Sequence, residues 1–498
     1  MALAGTAQWG PVDELVLVSS YDQFLQLFGN PVSPDATPMH YQALGYFKRG
    51  GAAYVYRPQG TSTKYGGATA AAGGAALTAS ATGYASIATI PASTAFFVCT
   101  KYPGVNDAGD IYVEVTDTSG DEFTLIIGTE LVTTHIDRTA LNTEIHRCSI
   151  STTAKDGFGR SMYMPDVLNR ASLLASGLLS STIVAADLPT NDDAAVKLGG
   201  NAYVAATTSE IVTAYAAFHS LSACMVDFIV PGDFDADTLN ACVLVATTRQ
   251  DCRAIVSPSV ADMATARATT LDVDTWLTSI TDQSPYAAAY FSTLYERDTA
   301  NDKIVEVPCA GFVAGAYAYN NQVGNPWTAP AGSRRGRISA RGLASSFTPA
   351  ELDVLYDAKL NWIEVSPRYG LIIQGQKTLY GVHSPLSRVN AVGLFCLLRR
   401  DLTSFLEDFL NEINNDTTRT LVYSQVENYL TSIKSQQGID KFMLVCDERN
   451  NTAQDLGNNR MNVDIYVSPP SVAEYIYLRS FVTSAGVDFE QLTVVAAE

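Results

Sequence analysis

SSYDQFLQLFGNP, residues 19–31, is a helix written with its own start and stop, and GGAAYVYRP, residues 50–58, is a strand that ends on an arginine. Ser20 is placed to cap the first turn and Gln23 to reach back, the S-x-x-Q form of a capping box. Tyr21, Phe24, Leu25 and Phe28 fall at i, i+3, i+4 and i+7, a single apolar stripe. Gly29 suits a left-handed close, and Pro31 prevents continuation. A second helical stretch, MHYQALGYFKRG, runs into Gly50-Gly51, and the small and aromatic residues after it predict a buried strand stopped by Pro58. This is β-turn-α-α-β packing, the edge of an α/β core.

At 498 residues the chain has room for two to four domains, and 47% apolar with 17% charged residues supports sizeable cores. A net charge of -19 argues against non-specific nucleic-acid binding, which needs a basic footprint, and against an anionic membrane surface. The longest apolar run, AVGLFCLL, is far short of a spanning helix. MALAGTAQWGP lacks the basic and apolar regions of a signal peptide, so a protein made in a cytoplasm is expected.

Residues 59–94, rich in Ala, Gly, Thr and Ser, read as a connector or an extended, weakly packed segment. From Phe96 to about Val167, short alternating runs punctuated by Gly, Asp and Asn read as an antiparallel β domain inserted between α/β segments. Strand and helix alternate again from Gly199, through CMVDFIVPG, DADTLNACVLVATTR and CRAIVSP, which favours a partly parallel sheet. Two helices, about 391–409 and 419–434, precede the strands KFMLVCDE and NVDIYVSP and a final strand pair.

Chemistry is hard to place. GDFDADT puts Asp233, Asp235 and Asp237 at calcium-loop spacing, but Thr238 stands where glycine is required and Leu244 where the bidentate glutamate belongs. These acids read instead as helix N-terminal residues favoured by the dipole. The five histidines are scattered, and no nucleophile elbow, Walker loop or dinucleotide fingerprint occurs. AGSRRGRI is basic and glycine-rich; on an acidic protein such a loop more often meets an acidic neighbour than a phosphate. None of the eight cysteines forms a C-x-x-C pair, and most sit in apolar company, whereas Cys148 and Cys252 have charged neighbours and are expected to be better exposed. No enzyme, cofactor or metal is indicated.

ALAGTAQWGP, SSYDQFLQLFGNP with GGAAYVYRP, KYPGVNDAGDIYVEV, RQDCRAIVSP, VPCAGFVAGAYA with PWTAPAGSRRG, SPLSRVN, VCDERNNT and DIYVSPPSVAEYIYLRSFV stand in one order along nearly the whole chain. Together they resemble the tail sheath proteins of contractile-tailed bacteriophages, the myovirus type. The resemblance implies an α/β and α+β multidomain chain: an α/β core (1–58 and 187–345), a connector and inserted antiparallel β domain (59–186), and a C-terminal α+β tube-proximal domain with a terminal strand arm (346–498). It implies a structural subunit that polymerises with itself as sixfold rings stacked helically around an inner tail tube protein. On the same resemblance this subunit is expected to meet baseplate and tail terminator proteins, and to contract so as to drive the tube through the host envelope for genome ejection. The implied place is the virion tail, after assembly in the host cytoplasm, and no nucleic-acid or membrane partner is expected. A surface adhesin or carbohydrate-processing protein with a β-rich binding module is the alternative; no convergent aromatic and carboxylate site supports it.

Two features depart from the family. Met1 falls directly on the ALAG region, where members carry a preceding N-terminal arm, and Ala391-Val392-Gly393 follow the VN step where paired arginines are common, with Arg399-Arg400 coming later. Lattice cohesion is then expected from a C-terminal edge strand through Leu492, Val494 and Val495, and from inter-subunit disulfides of Cys148 and Cys252, whose pairing is not readable from sequence. Glu407, Asp408, Glu412, Arg419 and Glu427 on the two late helices are the candidate tube-facing residues.

Overall fold

A computed structural model of the chain describes residues 1–470 apart from 89–90, 92, 107–108, 141, 190–193, 222 and 269–270. The helix Tyr21–Phe28 forms as its caps require. Ser20 Oγ accepts the Gln23 N–H at 3.2 Å, while Gln23 Oε1 accepts the Ser19 N–H at 2.8 Å, one residue earlier than the usual return bond. Gly29 closes the helix at φ 77°, but its ψ of -175° is extended, so the chain leaves straight rather than curling. Phe24 and Phe28 are the buried stripe.

The core is a six-stranded sheet in the order Ala287–Ala289, Arg253–Val256, Phe228–Pro231, Ala2–Ala4, Ala53–Tyr56, Leu15–Val18. Every neighbouring pair is parallel except the last, where Leu15–Val18 runs antiparallel to Ala53–Tyr56. The helices Pro38–Phe47 and Ala310–Val323 pack closely because glycines face the contact. A Cβ at Gly311 would lie 2.2 Å from the Gln42 carbonyl oxygen, and one at Gly45 2.5 Å from the Phe312 ring. Gln42 Oε1 accepts the Gly311 N–H at 2.7 Å, tying the two backbones.

Two four-stranded antiparallel sheets make the insertion. Its core holds Phe96, Val113, Val115, Phe123, Leu125 and Ile127. The Ala/Gly run is not only a connector. Gly67–Ala71 is an inner strand of the second sheet, with Ala68 and Ala70 buried. Its lack of side chains is the reason: a Cβ at Gly67 would meet the Tyr84 ring at 2.5 Å and the Phe97 ring at 3.1 Å.

Leu394, Leu398, Leu402, Val422, Val426, Leu430, Ile433 and the strands Lys441–Val445 and Asp464–Ser468 form a third cluster, floored by Trp327. The boundary expected at 346 falls elsewhere: Leu355, Ile363, Ile373, Leu379 and Val389 pack in the core cluster, and the third begins at Leu394. Among the described residues no helix is long and apolar enough to cross a membrane.

Arginines tie the units together. Arg57, at the end of its strand and 2% exposed, donates to the carbonyls of Ala7 at 2.7 Å, Gly10 at 2.7 Å and Pro103 at 3.1 Å, joining core to insertion. Burial lowers its guanidinium to about 10, so it stays charged at neutral pH. On the other side, Arg253 lies over Phe228 and Tyr317 and reaches the Val389 carbonyl at 3.4 Å. Arg399 donates to Gln250 at 2.8 Å, and Arg400 pairs with Asp227 at 2.6 Å. The small residues after the VN step are explained here. A Cβ at Gly393 would lie 2.3 Å from the Pro326 carbonyl oxygen and 2.8 Å from Arg253 Nη1.

Arg57→Ala is expected to destabilise the chain by about 3 kcal/mol or more, because each buried carbonyl left without a donor costs roughly 1–3 kcal/mol. Arg57→Lys should recover little, since one ammonium does not span three diverging acceptors. Urea midpoints in the order native, Lys, Ala would check this, and equal midpoints would refute it.

Burial alone would raise the Asp227 carboxyl, but Arg400 and Arg253 outweigh it and hold it below the ordinary carboxylate range. A carboxylate depressed in the folded state lends stability above its unfolded value of about 4, and that stability is lost as pH falls through the folded value. The Asp227 side chain is 41% exposed, so solvent screening keeps the effect modest. The stability gap between native protein and Asp227→Asn should be widest at neutral pH and close below about pH 4. Denaturation across that range is the measurement; a gap that widened in acid would contradict it.

Candidate functional site

The two helices of the C-terminal unit are Val389–Glu407 and Asp416–Ser435. Leu394, Leu398 and Leu402 recur every four residues on the first, and Val422, Val426, Leu430 and Ile433 make the facing stripe. Asn415 starts the second helix, its side-chain oxygen accepting the Thr418 N–H at 2.8 Å. The strand pair behind them alternates as its sequence requires, with Ile465 and Val467 turned to the cluster and Tyr466 and Met443 exposed.

The connection between the helices faces outward. Glu407, Asp408 and Glu412 are all exposed there. Glu427 is exposed too, but it lies eleven residues into the second helix, about 16 Å along its axis. Arg419 does not belong with them. It is 7% exposed, donates to Asn414 at 3.0 Å and pairs with Asp416. Its position explains this, because residue 419 falls at i-3 and i-7 from Val422 and Val426, on the buried stripe.

Apolar residues complete the surface and are missed by a search for charges. Leu410 is 68% exposed, Ile413 75% and Leu421 51%. Their signal is LNEINN, where two large aliphatics stand off the helical stripe inside a polar turn. The turn thus presents three carboxylates and bare aliphatic side chains on one short segment. Leu492, Val494 and Val495, the expected inter-subunit strand, lie outside the described residues.

The disulfide expectation is corrected. Cys148 and Cys252 are both 0% exposed, and all eight cysteines are buried. Cys148 sits on the strand Glu144–Ser149 opposite Phe123, facing the insertion core, while its neighbour Arg147 points outward. Strand alternation, not neighbouring charge, decides which one is exposed. Burial pushes the Cys148 thiol up to about 12. Around Cys252 the charges are themselves buried: Arg249 and Asp251 pair at 2.8 Å with both side chains inaccessible. Burial, then Asp251, raises that thiol well above its ordinary value. Neither thiol is placed to meet another subunit.

The acids of GDFDADT stand at the start of the helix Ala236–Arg249, and Asp235 accepts the Thr208 hydroxyl at 2.7 Å.

Comparison with known proteins gives one consistent likeness. The phage tail sheath C-terminal domain family matches residues 382–483, the segment that carries this hairpin and strand pair. The tail sheath protein of Vibrio phage KVP40 is 32% identical over 263 residues, 50% of this chain and 39% of that one. That of Enterobacteria phage T4 is 30% identical over 318 residues, 60% of this chain and 48% of that one. The chain therefore spans under half the length of each of these curated relatives. A sheath tail protein from Listeria innocua shares the fold with a TM-score of 0.58 at 13% identity, over 90% of this chain and 88% of its own. Sequence, C-terminal segment and fold agree: over half or more of its length the chain is similar to phage tail sheath proteins, its C-terminal segment matches the phage tail sheath C-terminal domain, and its fold is that of a solved sheath tail protein.

Proposed function

We propose that this chain is the structural subunit of a contractile tail sheath. Copies polymerise as stacked sixfold rings around an inner tube, seated on a baseplate and closed by a terminator, and contract to push the tube through the host envelope. The observation that carries the reading is the match of the C-terminal segment to the sheath family where the chain builds its exposed helical turn. The work is mechanical: a lattice held in a metastable arrangement relaxes by rigid-body movement of subunits, with no nucleotide and no catalytic step.

The tube-facing surface in this reading is the turn with Glu407, Asp408 and Glu412, joined by Leu410 and Ile413. Exposed ion pairs are worth about 0–1 kcal/mol each, which suits a contact that must let go during contraction. The insertion points away from the tube. It leaves the core after Tyr56 and has its own hydrophobic centre as far as Leu198, and the chain rejoins the core cluster from Ile211, so loss of the intervening part removes little from that cluster.

Negative-stain microscopy of the purified chain should show rings or long striated tubes; only dispersed monomers at high concentration would refute the sheath reading. Reversing Glu407 and Asp408 to lysine should reduce assembly on tubes while leaving the melting temperature within a few degrees, because both side chains are exposed. Unchanged tail assembly and length would remove the turn from the tube contact. Replacing residues 59–204 by a short linker should leave a core that still polymerises, and a folded deletion variant that never assembles would argue the reverse.

A further inference from the structure

On a chain with 51 acidic and 32 basic side chains, one region runs against the balance. Arg334, Arg335, Arg337, Arg341 and Arg368 come from two adjoining segments, and among the described residues none of the five has a carboxylate partner. By contrast, Arg147 pairs with Glu122, Arg297 with Asp302 and Arg449 with Asp447.

The segments are held in place by backbone and ring contacts instead. Ile338 N–H reaches the Leu371 carbonyl at 3.0 Å and Ile373 N–H the Gly336 carbonyl at 2.7 Å, so the arginine loop is stitched to the hairpin Trp362–Gln374. Arg337 donates to the Ser333 carbonyl at 2.9 Å and lies 5.1 Å from the Tyr369 ring, which Arg368 also approaches at 5.2 Å. The Arg337 carbonyl in turn accepts from Arg49. The Arg337 and Arg368 guanidiniums, held by ring contact and in Arg337 by a carbonyl as well, keep donors free for an outside acceptor, and for these two little ordering remains to be done on binding.

We propose that this arginine face docks on an acidic surface of a second copy of the chain. The inference rests on the self-assembly reading and deepens it. Two bodies of net charge -19 repel wherever acid meets acid, so close contact between copies needs a basic face. A nucleic acid is a poorer occupant, because the rest of the surface repels it. The contact joins unlike surfaces, so it propagates from copy to copy and builds a ring or a helix rather than a closed pair.

The test is assembly of the full chain carrying Arg334→Glu, Arg335→Glu and Arg337→Glu, beside the same three positions changed to lysine. The glutamate variant should need a protein concentration about tenfold higher or more to polymerise, and the lysine variant should stay near native. In mixed light and heavy isotope-labelled particles of the lysine variant, carbodiimide should join the new lysines to aspartates or glutamates of another copy. Native-like assembly of the glutamate variant overturns the proposal, and so do cross-links confined to a single copy. If the glutamate variant fails to fold, the cross-links of the lysine variant decide. A native chain that forms no polymer at all would remove the sheath reading and this contact together; a native chain that polymerises beside an equally competent glutamate variant removes the contact alone.

Discussion

Ala2, Leu3 and Ala4 hold the subunit together. All three are fully buried, and Ala2 stands opposite Tyr54 on one side and Ile229 on the other, both in parallel register. Parallel neighbours cannot be joined by a tight turn, so everything between Tyr56 and Phe228 must leave one end of the sheet and come back to the other. The insertion uses that compulsory excursion. The strand sits centrally with two small side chains, Ala2 and Ala4, beside the buried Leu3, and its end is met by a polar group. The Tyr215 hydroxyl lies 3.1 Å from the Ala4 carbonyl and 2.9 Å from that of Val230, and accepts the Gly232 N–H at 3.0 Å.

An arginine stands at both borders of the core. At a strand end the sheet runs out of partners for backbone carbonyls, and a guanidinium with five donors in a fixed fork serves several at once. Arg57 does this toward the insertion with three carbonyls, whereas Arg253, at the start of its strand, reaches one carbonyl, that of Val389, and is held mainly over the Phe228 and Tyr317 rings. Neither needs a carboxylate in contact, which keeps the joints independent of a second buried charge.

Local signals were readable where they were complete. The capped helix 21–28, the aromatic strand after Gly51 and the alternating Val463, Ile465 and Val467 all announce themselves by period and punctuation. What failed depends on which way a residue faces. Arg147 and Cys148 are neighbours on one strand and point in opposite directions, so charge beside a cysteine says nothing of its exposure. Arg419 carries a charge but occupies the apolar stripe of its helix. The strand Gly67–Ala71 has no β-branched or aromatic signal apart from Thr69, because its role is to be thin beneath Tyr84 and Phe97. The border near Val389 is set by which residues share a cluster, a long-range property that composition does not record.

The glycine at position 393 gives the C-terminal helix leverage. Nineteen residues from Val389 to Glu407 make a rod about 28 Å long, pressed at one end against the Pro326 carbonyl and carrying the exposed turn at the other. From Gly393 to Glu407 the rod runs about 21 Å, so a difference of about ten degrees in its direction at that contact would place the far end about 4 Å away. Close packing at Gly393, where no Cβ fits against Pro326 and Arg253, therefore sets the aim of the rod and with it where the turn stands.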